Sequence, residues 1–348
     1  MQVVNTALLS FGLSGRVFHA PFLNAHPEFR LAGCWERTGR LIESAYPGSK
    51  RYSSLEEILI DSSIDLVVVN TPTSTHATFA ADALNAGKHV VVEKAFTTTA
   101  QEASELITLS EKRGKVLSVY QNRRWDSDFM TVRKVITEGH LGQLVEATIA
   151  YERYNPGLSP KRHRETPGPG AGNLMDLGPH CIDEALVLFG IPQQVFADIR
   201  ICRDGSQVDD YFDILLYYPS MRVRLKSSYL VREQGPAFVI HGTNGSLTKS
   251  RSDVQQSQLM DGVRPDAPDY GAEPESSYGL LHTSVDGKSR QQRIASLRGN
   301  YMGYYNQLYD AIAKGGKIPV TGEEGLMVMK VIEAARKSHE RKAVVDLN

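Results

Sequence analysis

Residues 6–22 read TALLSFGLSGRVFHAPF: a short apolar run, a Gly/Ser turn, and then a stretch with helical character. The frame Ser10-x-Gly12-x-x-Gly15 carries two glycines of a G-x-G-x-x-G dinucleotide fingerprint, with a serine in place of the first. Gly12 lets backbone approach a pyrophosphate. Gly15 lets the helix pack closely on a sheet, and helix N-terminal amides in this turn, around Ser14, face the phosphates. Ser10 must hold the tight turn without glycine's freedom, and an ordinary strand–helix turn is the competing reading. The fingerprint also asks for an acid about 20 residues on, at the end of the second strand, to bind the adenosine ribose diol. Glu36 directly follows the apolar run RLAGCW (30–35). A solvated glutamate is the plainer alternative there, and Arg37 beside it offers a partner for a 2′-phosphate.

The same alternation continues outward from this turn. DLVVVN (65–70), KHVVVE (88–93) and KVLSVYQN (115–122) are near-continuous apolar runs, as expected of a parallel sheet covered on both faces. Between them, 74–87 and 97–114 have helical spacing. The second of these has a Thr-rich start, basic residues in its last turn and Gly114 as its stop. This is βαβ grammar, and it predicts a Rossmann domain over 1–122. Beyond it, 123–348 reads as a second, α+β domain with a large, open, mostly antiparallel sheet. Its expected elements are a helix at 128–139, a long strand at 142–154, a Gly/Pro-rich loop at 155–173 and a helix at 178–190. Alternating strands follow over 193–249, with an Asn244-Gly245 hairpin signal. Residues 250–300 read as long loops with short strands, and two helices close the chain.

Ligands of open parallel sheets sit beyond the carboxyl ends of the strands. Thr71, Pro72 and His76 follow one strand and Glu93-Lys94 ends the next, so these residues should share a crevice with the glycine turn. HVVVEKAF (89–96) therefore either surfaces into water or delivers a lysine to a cleft. Asn122 follows the last strand of this half, with Arg123 and Arg124 at the domain junction. Asn122 or Arg123 would contact the nicotinamide side, or the arginines would form a salt bridge between domains. Arg153, Tyr154, Arg162, His163 and Arg164 border or lie in the Gly/Pro-rich loop, where solvated charges are the plainer reading.

Net charge is −1, which gives no global drive toward nucleic acid or an anionic membrane. Cys34, Cys181 and Cys202 form no CxxC pair, and the histidines show no metal-ligand spacing. Reduced thiols, a cytoplasmic location, and no metal, nucleic-acid or membrane partner are the expectations. No signal-peptide pattern opens the sequence, and no apolar run approaches the ~20 residues of a membrane helix.

Taken in order, GLSGRVFHAPF, VVVNTPTSTH, AGKHVVVEKAF, LSVYQNRRWDSDF, GNLMDLGPHCID and NYMGYYNQLYDAI resemble the Gfo/Idh/MocA family. These are two-domain sugar and cyclitol dehydrogenases that include glucose–fructose oxidoreductase and inositol 2-dehydrogenase. The likeness is nearest to the scyllo-inositol dehydrogenase branch. The resemblance implies NAD or NADP as cofactor, a sugar or polyol as substrate, and homodimers or homotetramers through the C-terminal sheet. It also implies a Glu-Lys-Pro motif and an Asp-x-x-x-His motif, matched here by Glu93-Lys94 and by Asp176 and His180. Those motifs would make Lys94, Asp176 and His180 the catalytic side chains. Histidine suits transfer of the hydroxyl proton. Lys94 would stabilise developing alkoxide charge, and Asp176 would orient His180 or accept a second hydroxyl. The sequence departs from the family at Ala95, where proline is usual and would restrict Lys94, and at Ser10. Glu36 favours NAD over the NADP of that branch. Ala95 keeps open a second reading, a nicotinamide-binding protein with little turnover.

Overall fold

The computed structural model describes residues 3–36, 39–159 and 165–347. Contacts divide the chain into two units. One comprises Met1–Asn122 with Gln255–Tyr270 and Asn300–Leu326. The other comprises Arg123–Val254 with Gly271–Gly299 and Met327–Asn348.

The first unit is built on β1 (Val4–Leu8), β2 (Phe29–Trp35), β3 (Lys50–Tyr52), β4 (Leu66–Val69), β5 (His89–Glu93) and β6 (Leu117–Tyr120). They form one sheet in the order β3-β2-β1-β4-β5-β6, with every pair parallel. β4 and β6 are buried along their whole length, which explains their uninterrupted apolar runs. The order reverses at β1/β4, the switch point where doubly wound folds bind ligands. The sequence reading named no strand between 35 and 65. β3 is only three residues long and pairs with Gly33–Trp35, too short for an alternation to register.

The helices α1 (Ala20–Ala25), α2 (Leu41–Ala45), α3 (Leu55–Ile60), α4 (His76–Asn85) and α5 (Ala100–Arg113) complete the layer. α5 begins with a capping box: Thr99 accepts the Glu102 amide and Glu102 accepts the Thr99 amide. It ends on Gly114 in the left-handed conformation. Before α1, Gly15–His19 forms a π-turn in which the Ala20 amide donates to Gly15 O. Pro21 has no N–H to return to Val17, so the α-helical pattern is interrupted there.

The later segment of this unit is held by aromatics. Tyr301, Tyr304 and Tyr305 are essentially buried. Tyr305 stacks on Phe22, with centroids 5.3 Å apart, and Tyr304 meets Tyr120 edge-on at 4.8 Å. Their hydroxyls are satisfied, Tyr304 donating to Ser118 Oγ (2.9 Å) and Tyr305 to Phe18 O (2.7 Å). Burying a ring of this size stabilises by about 1.5–3 kcal/mol, and these rings hold helix Met302–Lys314 against α1. The open edge of β6 is covered by Val320–Thr321.

The second unit contains α6 (Ser127–Thr137), β7 (Leu144–Ala150), α7 (Asn173–Asp176), α8 (Gly178–Phe189), β8 (Gln194–Arg200), β9 (Tyr211–Tyr217), β10 (Arg222–Ser228), β11 (Phe238–Gly242), β12 (Gly245–Lys249), β13 (Gly279–Val285), β14 (Lys288–Ile294) and β15 (Val345–Asp346). Nine strands form a sheet ordered β14-β13-β12-β11-β7-β10-β9-β8-β15. Only the β7/β10 pair is parallel. Burial alternates along β9, with Phe212, Ile214 and Leu216 inside, and α8 packs against β7 and β10. The hairpin expected at Asn244-Gly245 is present, but its two-residue loop is Thr243-Asn244, and Gly245 already pairs with Gly242. Residues 250–300 are more regular than expected. β13 and β14 are seven-residue strands joined at Asp286-Gly287, both with positive φ (51° and 73°), as a two-residue primed turn demands.

One feature of the first sheet sets a pH dependence. His89 Nδ1 accepts the Val116 amide at 3.0 Å. Burial, then the Lys115 charge, lowers the ring to about 4 against the opposing pull of Asp65. The unfolded ring titrates near ~6.5, so the folded state binds fewer protons between these values. This contribution to stability is complete above pH ~6.5 and is lost as pH falls toward about 4. We expect melting temperature, followed by circular dichroism, to fall over that window. His89→Asn, whose Oδ1 keeps an acceptor, should flatten the fall, and an unchanged slope in the variant would contradict this.

Candidate active site

The glycine turn closes on itself. The Gly12 amide donates to Ser10 Oγ at 3.2 Å and the Arg16 amide to Gly12 O at 3.0 Å. Ser10 therefore replaces the first glycine without a positive φ and stabilises the turn through its hydroxyl. A Cβ on Gly15 would stand 2.2 Å from Ser10 O, whereas one on Gly12 would meet only Ser10 Oγ at 3.3 Å. Asn70, just after β4, braces the turn by donating from Nδ2 to Ser10 O at 2.7 Å. Its Oδ1 is buried and has no hydrogen-bond partner among the described residues. A side-chain-free cradle and an orphan acceptor at the switch point fit a dinucleotide.

Glu36 is buried, with Oε1 accepting the Leu41 amide at 3.2 Å and Oε2 the Ile42 amide at 3.0 Å. It caps the start of α2, a role the sequence reading lacked. Each oxygen retains a lone pair for a further donor. Arg37 lies outside the described residues.

After β4, Pro72 and Thr75 make a tight turn, Thr75 N donating to Pro72 O at 2.9 Å and its hydroxyl meeting Thr71 Oγ1 at 2.7 Å. His76 was expected to line the crevice. It is instead 1% exposed, with Nδ1 2.8 Å from Ala95 O and Nε2 2.9 Å from Thr71 O. Burial holds this imidazole below its ordinary value, although both carbonyl contacts and the Glu93 charge oppose the shift. His76 thus clamps the loops after β4 and β5 together.

Glu93 answers the question raised by HVVVEKAF. Its carboxylate accepts from the Ser14 hydroxyl, from His19 Nε2 at 3.1 Å and from the Lys94 amide at 3.2 Å. Burial opposes ionisation, but the His19 hydrogen bond and charge, the Ser14 hydroxyl and the Lys94 charge outweigh it. The carboxyl is held below its ordinary value. His19 Nδ1 in turn meets Tyr305 Oη at 2.9 Å. Lys94 itself is half-buried, and the Lys94–Ala95 peptide is cis. Two contacts flank this peptide, the Lys94 amide on Glu93 and the Ala95 carbonyl on His76. Asn122 is buried just beyond β6.

Asp176 and His180 belong to the second unit. Gly172, at φ 91°, enters α7 with its Cα against Asp209, which accepts the Leu174 amide at 2.6 Å. Asp176 ends α7 and lies 3.5 Å from the Tyr229 hydroxyl. Pro179 opens α8, and His180 in its first turn is 5% exposed, its ring stacked 6.3 Å from Tyr151. α8 is pinned from inside: Asp183 takes two hydrogen bonds from Arg124 (2.8 and 2.7 Å) and Glu184 two from Arg251 (2.8 and 2.9 Å). Burial pushes the Glu184 carboxyl up, and the Arg251 charge only partly restores it. Arg124, one residue past the boundary between the units, thus has a forked partner in Asp183. Arg123 pairs with Asp126 at 3.3 Å. Arg162, His163 and Arg164 lie outside the described residues.

His19, Asn70, Tyr151 and Tyr229 were not singled out as site residues in the sequence. Asn70 and His19 stand inside motifs that were quoted, but their partners are distant in sequence, which no local pattern reveals.

Two family models match the chain. One, described as oxidoreductase family, NAD-binding Rossmann fold, matches residues 4–121. The other, oxidoreductase family, C-terminal alpha/beta domain, matches 133–347. The chain is 36% identical over 347 residues to scyllo-inositol 2-dehydrogenase (NADP(+)) IolW of Bacillus subtilis, covering 100% of this chain and 97% of that protein. It is also 36% identical to the uncharacterized oxidoreductase YdgJ of Escherichia coli, over 99% of each. Among solved structures, an oxidoreductase from Bacillus cereus superposes with TM-score 0.92 at 31% identity, covering 99% of both chains.

The turn geometry separates the two glycines. Gly15→Ala, which forces a Cβ into Ser10 O, should weaken nicotinamide dinucleotide binding by about tenfold or more. Gly12→Ala should cost far less. Fluorescence titration with NADH and NADPH measures both, and equal losses would refute the assignment.

Proposed function

The chain belongs to the Gfo/Idh/MocA oxidoreductase family, and from that premise we propose that it moves a hydride between a nicotinamide dinucleotide and a secondary alcohol of a sugar, cyclitol or related polyol. The anchoring of Lys94 carries this reading. Glu93 before it and His76 after it fix the backbone of a half-buried lysine at the carboxyl end of β5. This is where a doubly wound sheet presents groups to a ligand.

When bound, the nicotinamide supplies the hydride acceptor or donor. His180 takes the hydroxyl proton during oxidation and returns it during reduction. Lys94 donates a hydrogen bond to the reacting oxygen and stabilises its developing negative charge. Asp176 accepts a second substrate hydroxyl or orients His180. Gly12, Ser14, Gly15 and the loop at Thr71–Pro72 hold the dinucleotide, with Asn122 beside its nicotinamide half. Glu36 favours NAD, because a carboxylate beside the ribose repels a 2′-phosphate. The B. subtilis relative is named for NADP, so the preference is a point on which this chain would differ.

The chain acts in the cytoplasm as a homodimer or homotetramer through the nine-stranded sheet. Half-buried Tyr211, Leu215 and Tyr217 alternate with the buried residues of β9, which supports that face as the contact. Among the described residues no helix is long and apolar enough to cross a membrane.

Lys94→Ala and His180→Ala should each lower kcat by about 10²-fold or more while leaving cofactor affinity nearly intact. Nicotinamide absorbance with a polyol panel reads the first quantity and fluorescence titration the second. Near-normal turnover in either variant would remove that residue's role. Cofactor binding with no hydride transfer from any polyol would instead favour a sensor. Glu36→Ser should shift the NADP/NAD ratio of kcat/KM toward NADP by about tenfold or more, and an unchanged ratio would show that Glu36 serves only as the cap of α2.

A further inference from the structure

Four guanidiniums face the rings of Tyr151 and Tyr229 in the second unit. Arg251, Arg153 and Arg123 lie 4.4, 5.2 and 6.0 Å from the Tyr151 centroid. Arg203 and Arg153 lie 4.9 and 5.8 Å from that of Tyr229. Three of the four also meet carboxylates: Arg251 on Glu184 (2.8 Å), Arg203 on Asp210 (2.9 Å) and Glu165 (3.1 Å), and Arg123 on Asp126 (3.3 Å). Arg153 meets none among the described residues. Its neighbour Glu152 pairs with Lys226 at 2.9 Å.

The Arg153 backbone is fixed, its amide donating to Ser228 O and its carbonyl accepting the Val231 amide, both at 3.0 Å. The side chain is half-buried between two ring faces. Those rings are the ones that reach His180 and Asp176, Tyr151 stacking on His180 and the Tyr229 hydroxyl facing Asp176. Ring faces attract the cation but accept little from its five N–H donors. A partly desolvated guanidinium with open donors is best matched by an oxyanion, whose paired oxygens fit its planar fork.

We infer that Arg153 binds an oxyanion carried by the substrate, so that the chain acts on an acidic polyol bearing a carboxylate or a phosphate. This rests on the oxidoreductase reading above and narrows its substrate class. Arg153 then sets specificity, and Tyr151 and Tyr229 hold the guanidinium beside His180 and Asp176.

The test uses the full-length protein with NAD and NADP. Gluconate is compared with glucose, and inositol 1-phosphate with myo-inositol, by calorimetric binding and by nicotinamide absorbance. At least one anionic member should bind and turn over about tenfold or more better than its neutral partner, and the arm that responds tells carboxylate from phosphate. Arg153→Gln should bring the two members of that pair within about threefold of each other, and Arg153→Lys should restore part of the difference. Arg153→Lys also carries the test should the glutamine variant fail to fold. Neutral members preferred or equal in the wild type, no binding of either anion, or a preference unchanged by both variants would each overturn the inference. Turnover of neutral polyols without an anionic preference would overturn it and leave the oxidoreductase reading standing. Anion binding sensitive to Arg153, with no hydride transfer from any compound, would do the reverse.

Discussion

The Glu93 carboxylate is the constraint around which the first unit is arranged. It receives Ser14 from the glycine turn, His19 from the π-turn after it and the Lys94 amide from its own strand end. Residues brought from separate loops thus converge on one largely buried charge. Leaving any donor out would strand that charge in a poorly solvated place, which is expensive, so the arrangement enforces itself. His19 extends it to Tyr305, tying the turn to a helix more than 280 residues further along the chain.

A parallel logic holds the second unit. Asp183 and Glu184 are buried on α8 beside His180 and are met by forked arginines. Lys249 and Glu273 pair at 2.6 Å with neither side chain exposed. Breaking such a pair by removing one partner typically costs about 3–5 kcal/mol, because the other charge remains buried. The Asp183 and Glu184 pairs hold α8 one turn beyond His180, an arrangement that would suit a histidine required to present one nitrogen at a fixed place.

The sheet of the first unit was legible because its strands are buried on both faces and read as continuous apolar runs. The ends of α5 were legible in its Thr-rich start and in Gly114 as its stop, because such signals act within a few residues; the reciprocal Thr99–Glu102 capping box came only with the structure. β3 escaped because three residues carry no period. The β13/β14 hairpin escaped although its signal, Asp286-Gly287, was in plain view, since the flanking strands are polar and exposed along β14. Of the site, the residue types at the strand ends were readable, but their partners were not. His76 reads as a ligand-facing group, yet both of its ring nitrogens meet backbone carbonyls; Glu36 meets two backbone amides and keeps a lone pair on each oxygen. Arg153 reads in the sequence as one charge among several at a loop border, and what sets it apart is that, among the described residues, it has no acid of the kind that Arg123, Arg203 and Arg251 meet.

The measurement that most directly tests this account is stopped-flow cofactor binding and single-turnover hydride transfer in Glu93→Gln, a change that keeps shape and removes charge. The glycine turn and Lys94 share this one anchor. Dinucleotide affinity and the hydride-transfer rate should therefore fall together, each by about tenfold or more, the scale of a lost charge-assisted hydrogen bond. Wild-type values for both would contradict the claim that this carboxylate organises the site.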